Sequence, residues 1–241
     1  AIYIESDSTR ILLDCGVSER QLAARMKFID RSPADLDAVF LTHEHSDHVR
    51  GIGPLLRKYG ITLFTTEGTF KRSQHIFGDI PKWKKIQADE PVGFSGMTVE
   101  PYSTPHDAEE SVAFVVRNAT VKLGHATDLG TVTPEVKEKL KGADALLVEA
   151  NHDVNMLEVG PYPWPVKQRI KSDAGHLSNE ACGELLSAVG HRKLKRVVLM
   201  HLSMTNNHPD IAHITARQAL GDHPTEILLA RQESPIPLIE V

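Results

Sequence analysis

Cysteine is scarce in this sequence. Cys15 and Cys182 are the only two in 241 residues, too few for a disulfide framework. They read as reduced thiols of a cytoplasmic protein, with Cys15 packing in a core rather than reacting. No apolar run approaches the ~20 residues that a membrane-spanning helix requires, so no membrane contact is expected. No secretory pattern precedes the first strand-like residues, and the start at Ala1 is compatible with a trimmed or processed end. Gly at 16 and Pro at 14 exclude collagen-like and low-complexity classes. An excess of cations is missing too. The formal net charge is −5, which excludes a protein that coats nucleic acid by bulk electrostatics but leaves room for a local basic groove. What remains is an ordinary globular composition, 41% hydrophobic and 24% charged. A chain of this length buries roughly 70–75% of its unfolded surface and needs no covalent staples.

Strand and helix signals alternate along the chain. Residues 1–6 and 10–15 form a hairpin across Asp7-Ser8-Thr9. Helical spacing runs over 18–29 with Ser18 as N-cap, and over 49–59 with Gly60 as the stop. Strands are expected at 37–42 and 61–65, with a helix near 68–77. A strand-turn-strand pattern turns at Ser95-Gly96 within 92–104, and a hairpin joins 111–117 to 120–124. Helices follow at 134–140, 178–189 and 209–220, and strands at 145–150, 196–200 and 226–230. Residues 155–172 are Pro-rich and mixed. No repeat, linker or charge block interrupts the pattern, which fits one α+β domain over 1–241, with sheets covered by helices.

Histidine is abundant, with 13 in the chain. The densest group is Thr42-His43-Glu44-His45-Ser46-Asp47-His48, directly after an apolar strand. Imidazole and carboxylate are the ligand set of zinc, manganese and iron. His43 and His45, two apart, project to one side of an extended loop. Asp47 and His48 follow where the chain enters a helix and point toward a second, adjacent position. One ion rarely takes five side chains from one short loop, so two neighbouring cations are the natural reading.

The order His43-x-His45-x-Asp47-His48 resembles the signature of the metallo-β-lactamase fold. Asp14 after Ile11-Leu12-Leu13, His106 in Thr104-Pro105-His106-Asp107, Asp128 in Ala126-Thr127-Asp128-Leu129-Gly130 and His201 in Leu199-Met200-His201-Leu202-Ser203 resemble its later motifs, in family order. The resemblance implies an αββα four-layer sandwich. It implies one cation held by His43, His45 and His106, a second by Asp47, His48 and His201, and Asp128 between them. Asp14 would support the loop without being a main ligand. Two such cations, Zn2+ or Mn2+, would carry a bridging hydroxide for hydrolysis. Asp14 or Glu44 can orient ligand imidazoles, although Glu44 reads equally well as an exposed loop carboxylate.

A narrower resemblance is to the YycJ/WalJ (VicX-like) branch, described as 5′-to-3′ DNA exonucleases. It rests on Leu13-Asp14-Cys15-Gly16, the loop from His43 to Gly51, Arg57-Lys58-Tyr59, Thr65-Thr66-Glu67-Gly68-Thr69, Glu149-Ala150-Asn151-His152-Asp153 and Gly175-His176-Leu177-Ser178-Asn179. The Gly/Ser-rich segment with which that branch usually begins is absent here. The implied substrate is nucleic acid, foremost single-stranded or nicked DNA. RNA, cyclic nucleotides or a small ester, lactam or thioester are the alternatives on the same site. His176 lies where a loop enters a helix, beside N–H groups suited to phosphate, and can bind an oxygen or protonate a leaving group. Ser178 is either a second phosphate contact or simply the helix cap. Asn151 and His152 end a strand and reach substrate or merely form a turn. Lys82-Trp83-Lys84-Lys85 offers a ring for base stacking among cations, and Lys167, Arg169 and Lys171 extend a basic track; each also reads as a solvated face. Oligomeric state leaves no signature in the sequence.

Overall fold

In the computed structural model, which describes residues 1–94 and 96–241, the chain forms two compact units. The first comprises Ala1–Ser103 and Ala108–Val112; the second comprises Thr104–Asp107 and Ala113–Val241. The turn expected at Ser95-Gly96 involves Ser95, which lies outside the described residues.

The first unit runs β1 (Ile2–Glu5), β2 (Arg10–Leu13), α1 (Glu19–Phe28), β3 (Ala38–Phe40), α2 (Ser46–Val49), α3 (Ile52–Tyr59), β4 (Thr62–Thr65), α4 (Glu67–Phe77), β5 (Trp83–Lys85), β6 (Val92–Phe94) and β7 (Met97–Ser103). Strands β1 to β5 form one sheet in chain order; β1 is antiparallel to β2 and the others are parallel. Register places Leu12, Val39 and Leu63 side by side. With period-2 alternation they share a face, and they join Leu22, Met26, Leu55, Leu56 and Phe77 in one core. Each such side chain contributes roughly 1.5–3 kcal/mol by leaving water. Ser18 caps α1 in a reciprocal pair with Gln21, as its position before the periodic run predicted.

Two details differ from the expectation. The helix expected over 49–59 is two helices, α2 and α3. The chain turns at Gly51, whose N–H reaches the Cys15 carbonyl at 2.7 Å; a Cβ there would lie 1.9 Å from the Val17 carbonyl oxygen. Residues 82–85 are a strand rather than an open stacking platform. The Trp83 ring stacks on Phe70 at 3.9 Å within the unit's own packing, and Lys85 pairs with Glu67 at 2.8 Å. Pairing of β5 with β4 draws the ring inward.

The second unit contains β8 (Val112–Arg117, whose first residue closes the first unit), β9 (Lys122–Ala126), α5 (Pro134–Leu140), β10 (Ala145–Glu149), α6 (Val154–Val159), α7 (Trp164–Lys171), α8 (Asn179–Val189), β11 (Arg196–Met200), α9 (Pro209–Leu220) and β12 (Glu226–Leu229). Its strands pair in the order β12-β11-β10-β9-β8, all parallel except the β8–β9 hairpin. Asn118 closes that hairpin by accepting from the N–H groups of Thr120 and Val121. The near-continuous apolar runs of β10 and β11 match strands buried on both faces. Helices α5, α8 and α9 cover them, α8 against α9. The mixed stretch 155–172 resolves into α6 and α7, separated by Gly160-Pro161-Tyr162-Pro163. Among the described residues no helix is long and apolar enough to cross a membrane.

In both units the parallel strands end at chemistry-bearing residues. Asp14 directly follows β2, and His43 is the third residue past β3. Asp128 follows β9, Glu149 ends β10, and His201 follows β11.

Candidate metal centre

In the first unit a cluster of candidate ligands is organised by Asp14. Its backbone is left-handed (φ 57°), and its carboxylate is buried. One oxygen accepts from the Thr42 N–H at 2.8 Å. The other accepts from the Thr42 hydroxyl at 2.9 Å and from His48 Nδ1 at 2.8 Å. Burial alone would raise this carboxyl's pKa; the His48 imidazole and the Thr42 N–H outweigh it and hold the value below the ordinary one. The Thr42 hydroxyl spends its proton on Asp14, so its 2.9 Å contact with His43 Nδ1 requires the imidazole to donate. His43 and His48 thus both carry their proton on Nδ1 and present Nε2. His43 Nε2 and His45 Nδ1 lie 3.0 Å apart, as two ligands converging on one cation would. His45 is the N-cap residue of α2, and that helix brings Asp47 Oδ2 within 3.6 Å of His48 Nε2. Glu44 accepts from the Glu109 N–H at 2.8 Å, so it ties two loops of this unit together rather than orienting a ligand.

In the second unit a cluster is organised by Glu149, which the sequence places in the Glu149–Asp153 motif without a role. The side chain is fully buried at the end of β10. Oε1 accepts from His176 Nδ1 at 2.8 Å and from His201 Nδ1 at 3.2 Å. Oε2 accepts from the N–H groups of Leu129 at 3.2 Å and Leu177 at 3.3 Å. Four loop groups therefore meet on one carboxylate. Burial would raise its pKa; hydrogen bonds and charge from His176 and His201 instead hold it far below the usual carboxylate range. For His176 burial opposes protonation, but the Glu149 hydrogen bond and charge, followed by the Asp128 charge, raise its pKa above the ordinary value. Asp128 Oδ1 lies 3.4 Å from His201 Nδ1, 3.7 Å from His176 Nδ1 and 3.9 Å from His106 Nε2. Ligand atoms of Asp128, Glu149, His176 and His201 all fall within 4.8 Å of one another. His106 donates Nδ1–H to the Gly175 carbonyl at 3.1 Å, which again leaves Nε2 facing outward. Asp128 and His201 share the left-handed backbone of Asp14, at φ 56° and 60°. Left-handed non-glycine residues at strand ends are the strain that functional positions retain.

Each predicted site residue thus has a place. His43, His45, Asp47, His48 and Asp14 gather in the first unit; His106, Asp128, His176 and His201 gather in the second. Ser178 Oγ accepts from the Ala181 N–H at 3.2 Å, the capping role. The next N–H, of Asn179, is engaged by the His152 carbonyl at 2.8 Å. Asn151 Nδ2 donates to the His201 carbonyl at 3.0 Å and steadies that loop. His152 is buried, and burial lowers its pKa. The Arg169, Lys171 and Lys167 track is largely engaged: Arg169 forks onto Asp107, Lys171 pairs with Glu158, and Lys167 reaches the Glu158 carbonyl at 2.6 Å. Both cysteines are buried, which pushes their thiols up to about 11 for Cys15 and about 12 for Cys182. The signal for Glu149 was present: a lone carboxylate closing the apolar run Ala-Leu-Leu-Val is buried only when it is paired.

The donor set suits divalent transition metals. Five imidazoles (His43, His48, His106, His176 and His201) have Nδ1 engaged by an oxygen acceptor, which fixes the tautomer and leaves Nε2 as donor. Asp47 and Asp128 add carboxylates.

Comparison with known proteins agrees with this class. The family model of the beta-lactamase superfamily domain matches residues 9–202, and the chain belongs to that family. The solved metallo-beta-lactamase fold protein YhfI from Bacillus subtilis superposes with a TM-score of 0.74 at 20% identity, covering 97% of this chain and 89% of that one. The fold is therefore the metallo-β-lactamase one, and the protein is a hydrolase of this family. Within it, the chain is 36% identical over 223 residues to exodeoxyribonuclease YycJ of Bacillus anthracis, covering 92% of this chain and 84% of the relative. It is 35% identical over 219 residues to exodeoxyribonuclease WalJ of Streptococcus pneumoniae serotype 2, covering 89% and 81%. These place it in the YycJ/WalJ branch.

Proposed function

We propose that the protein is a metal-dependent phosphodiesterase that shortens DNA from its 5′ end, with single-stranded or nicked DNA as substrate. In this reading residues 1–241 act as one catalytic domain. His43, His45 and His106 hold one divalent cation, and Asp47, His48 and His201 hold a second, with Asp128 shared. Presentation of Nε2 by His43, His48, His106 and His201 supports this assignment, as does kinship with two exodeoxyribonucleases. When bound, zinc or manganese supplies an activated water and neutralises phosphoryl charge.

The observation that carries the reading is the Glu149–His176 pair. The imidazole is locked by a buried carboxylate in the same hydrogen-bond system as His201, and against the opposing effect of burial that carboxylate raises its pKa above the ordinary value. His176 holds a non-bridging phosphate oxygen or delivers its Nε2 proton to the leaving 3′-oxygen. Ser178, Asn151 and His152 serve this machinery as its frame, by capping α8 and fixing the His201 loop.

The test uses 3′-labelled single-stranded DNA, with 5′-phosphate or 5′-hydroxyl, in Mn2+ or Zn2+ with a chelator control. RNA of the same sequence is run in parallel. The expected result is metal-dependent loss of nucleotides from the 5′ end of DNA, abolished in Asp128→Ala. An Asp128→Ala enzyme as active as wild type would overturn the mechanism. Cleavage of RNA alone would overturn the substrate.

A further inference from the structure

The chain has two tryptophans, and they are used oppositely. Trp83 is stacked against Phe70 inside the first unit. Trp164, the first residue of α7, is 62% exposed. It stands between Pro163 and Pro165, which restrict the backbone on either side. Val159 and Met204 are also exposed in this region. Met204 lies in the loop that leaves His201, and that loop is fastened to the start of α6 by Asp153 N–H to the Asn206 carbonyl at 2.9 Å.

The other end of α7 runs straight into the candidate site. The His176 N–H bonds to the Ile170 carbonyl at 2.9 Å, and Arg169 forks onto Asp107, the neighbour of His106. Eight residues of helix span roughly 10 Å, about three base steps at ~3.4 Å per nucleotide along a stacked strand. The helix carries Lys167, Arg169 and Lys171 and no carboxylate. Among the described residues Arg169 pairs with Asp107 and Lys171 with Glu158, and Lys167 donates to the Glu158 carbonyl, so the helix's own three cations are not matched by carboxylates of its own.

We propose that Trp164 is a base-stacking residue of the enzyme, which holds an unpaired base about three nucleotides from the phosphate at His176. This rests on the reading that the site cleaves nucleic acid. It goes further by naming where the strand lies and why unpaired bases are favoured: a duplex keeps its bases stacked on one another and offers no free face to the ring.

The experiment compares wild type, W164A and W164F on 5′-phosphorylated oligothymidylates of two to ten nucleotides. As length grows from two to ten, the ratio of wild-type to W164A kcat/KM is expected to rise about tenfold, through KM, while W164F stays within about twofold. In an Asp128→Ala background, ten-nucleotide oligothymidylate is expected to quench tryptophan emission in the W83F protein and not in the W164F protein. A length-independent W164A effect in an active enzyme overturns the proposal. So does an unchanged KM together with a loss of dimer on sedimentation, which would make Trp164 a contact between copies. If wild type cleaves no oligonucleotide, the functional reading has failed. The quenching arm then decides alone: Trp164-dependent quenching sustains the stacking site, and its absence removes it.

Discussion

The two clusters of candidate ligands, one in each unit, are built by opposite means. In the first unit, four of the five gathered residues come from six consecutive positions, His43 to His48, and one carboxylate from a neighbouring strand, Asp14, ties down the loop. In the second unit, His106, Asp128, His176 and His201 come from four separated loops. The tie is Glu149, which opens a motif that assigns it no role, yet it holds two imidazoles and two backbone N–H groups at once. A local site is carried by a short stretch of chain. A distributed site needs a buried charge at its centre to keep its loops in register.

The sharpest way to break that comparison is to remove the two ties. Glu149→Ala leaves four donors facing a void, and loss of one partner of a buried charged pair typically costs about 3–5 kcal/mol. Chemical denaturation of the metal-free protein should show that loss. A drop under about 1 kcal/mol would mean the loops hold themselves. Asp14→Asn should be milder for the fold and harsher for the metal. Outer partners of ligand imidazoles are worth about 10–100-fold in affinity, to be read by competition with a fluorescent chelator. Equal effects of the two substitutions on stability would erase the distinction between local and distributed construction.

The smallest effect concerns acid. Arg31 hydrogen bonding holds the Glu5 carboxyl down to about 2 against the opposing effect of burial, with Tyr3 adding to the lowering. A depressed carboxylate pKa contributes stability that is complete above its ordinary value and is lost as pH falls toward the folded value. The melting-temperature gap between wild type and Glu5→Gln should therefore be constant above pH 5 and close between about pH 4.5 and 2. A gap that persists at pH 2 would assign the difference to packing.

Much of the architecture was legible because local signals agreed with the tertiary outcome. The Ser18 capping box, the Gly60 stop and the apolar runs of β10 and β11 each mark their element without help from distant residues. The gathering of His43, His45, Asp47 and His48 was legible for the same reason, since their spacing brings them together along one short loop. Long-range packing hid the rest. Lys82-Trp83-Lys84-Lys85 looks like an open cationic platform until β4 draws it into a sheet and Phe70 covers the ring. Ser178 looks available to phosphate until the first turn of α8 engages its oxygen. Thr42 looks like a spacer, although its hydroxyl decides which nitrogen of His43 faces outward.

The left-handed backbone at Asp128 has a consequence for how this protein can be improved. A carboxylate buried on a strand end at φ 56° is what a library screened only for surviving heat would discard. Glycine there would relieve a backbone penalty of roughly 1–2 kcal/mol together with the unwelcome charge. The hardiest clones from such a screen should be inert ones. With Asp128 in the role proposed for it, any campaign that hardens the enzyme must select on turnover in every round, because heat resistance and chemistry then compete for the same residue.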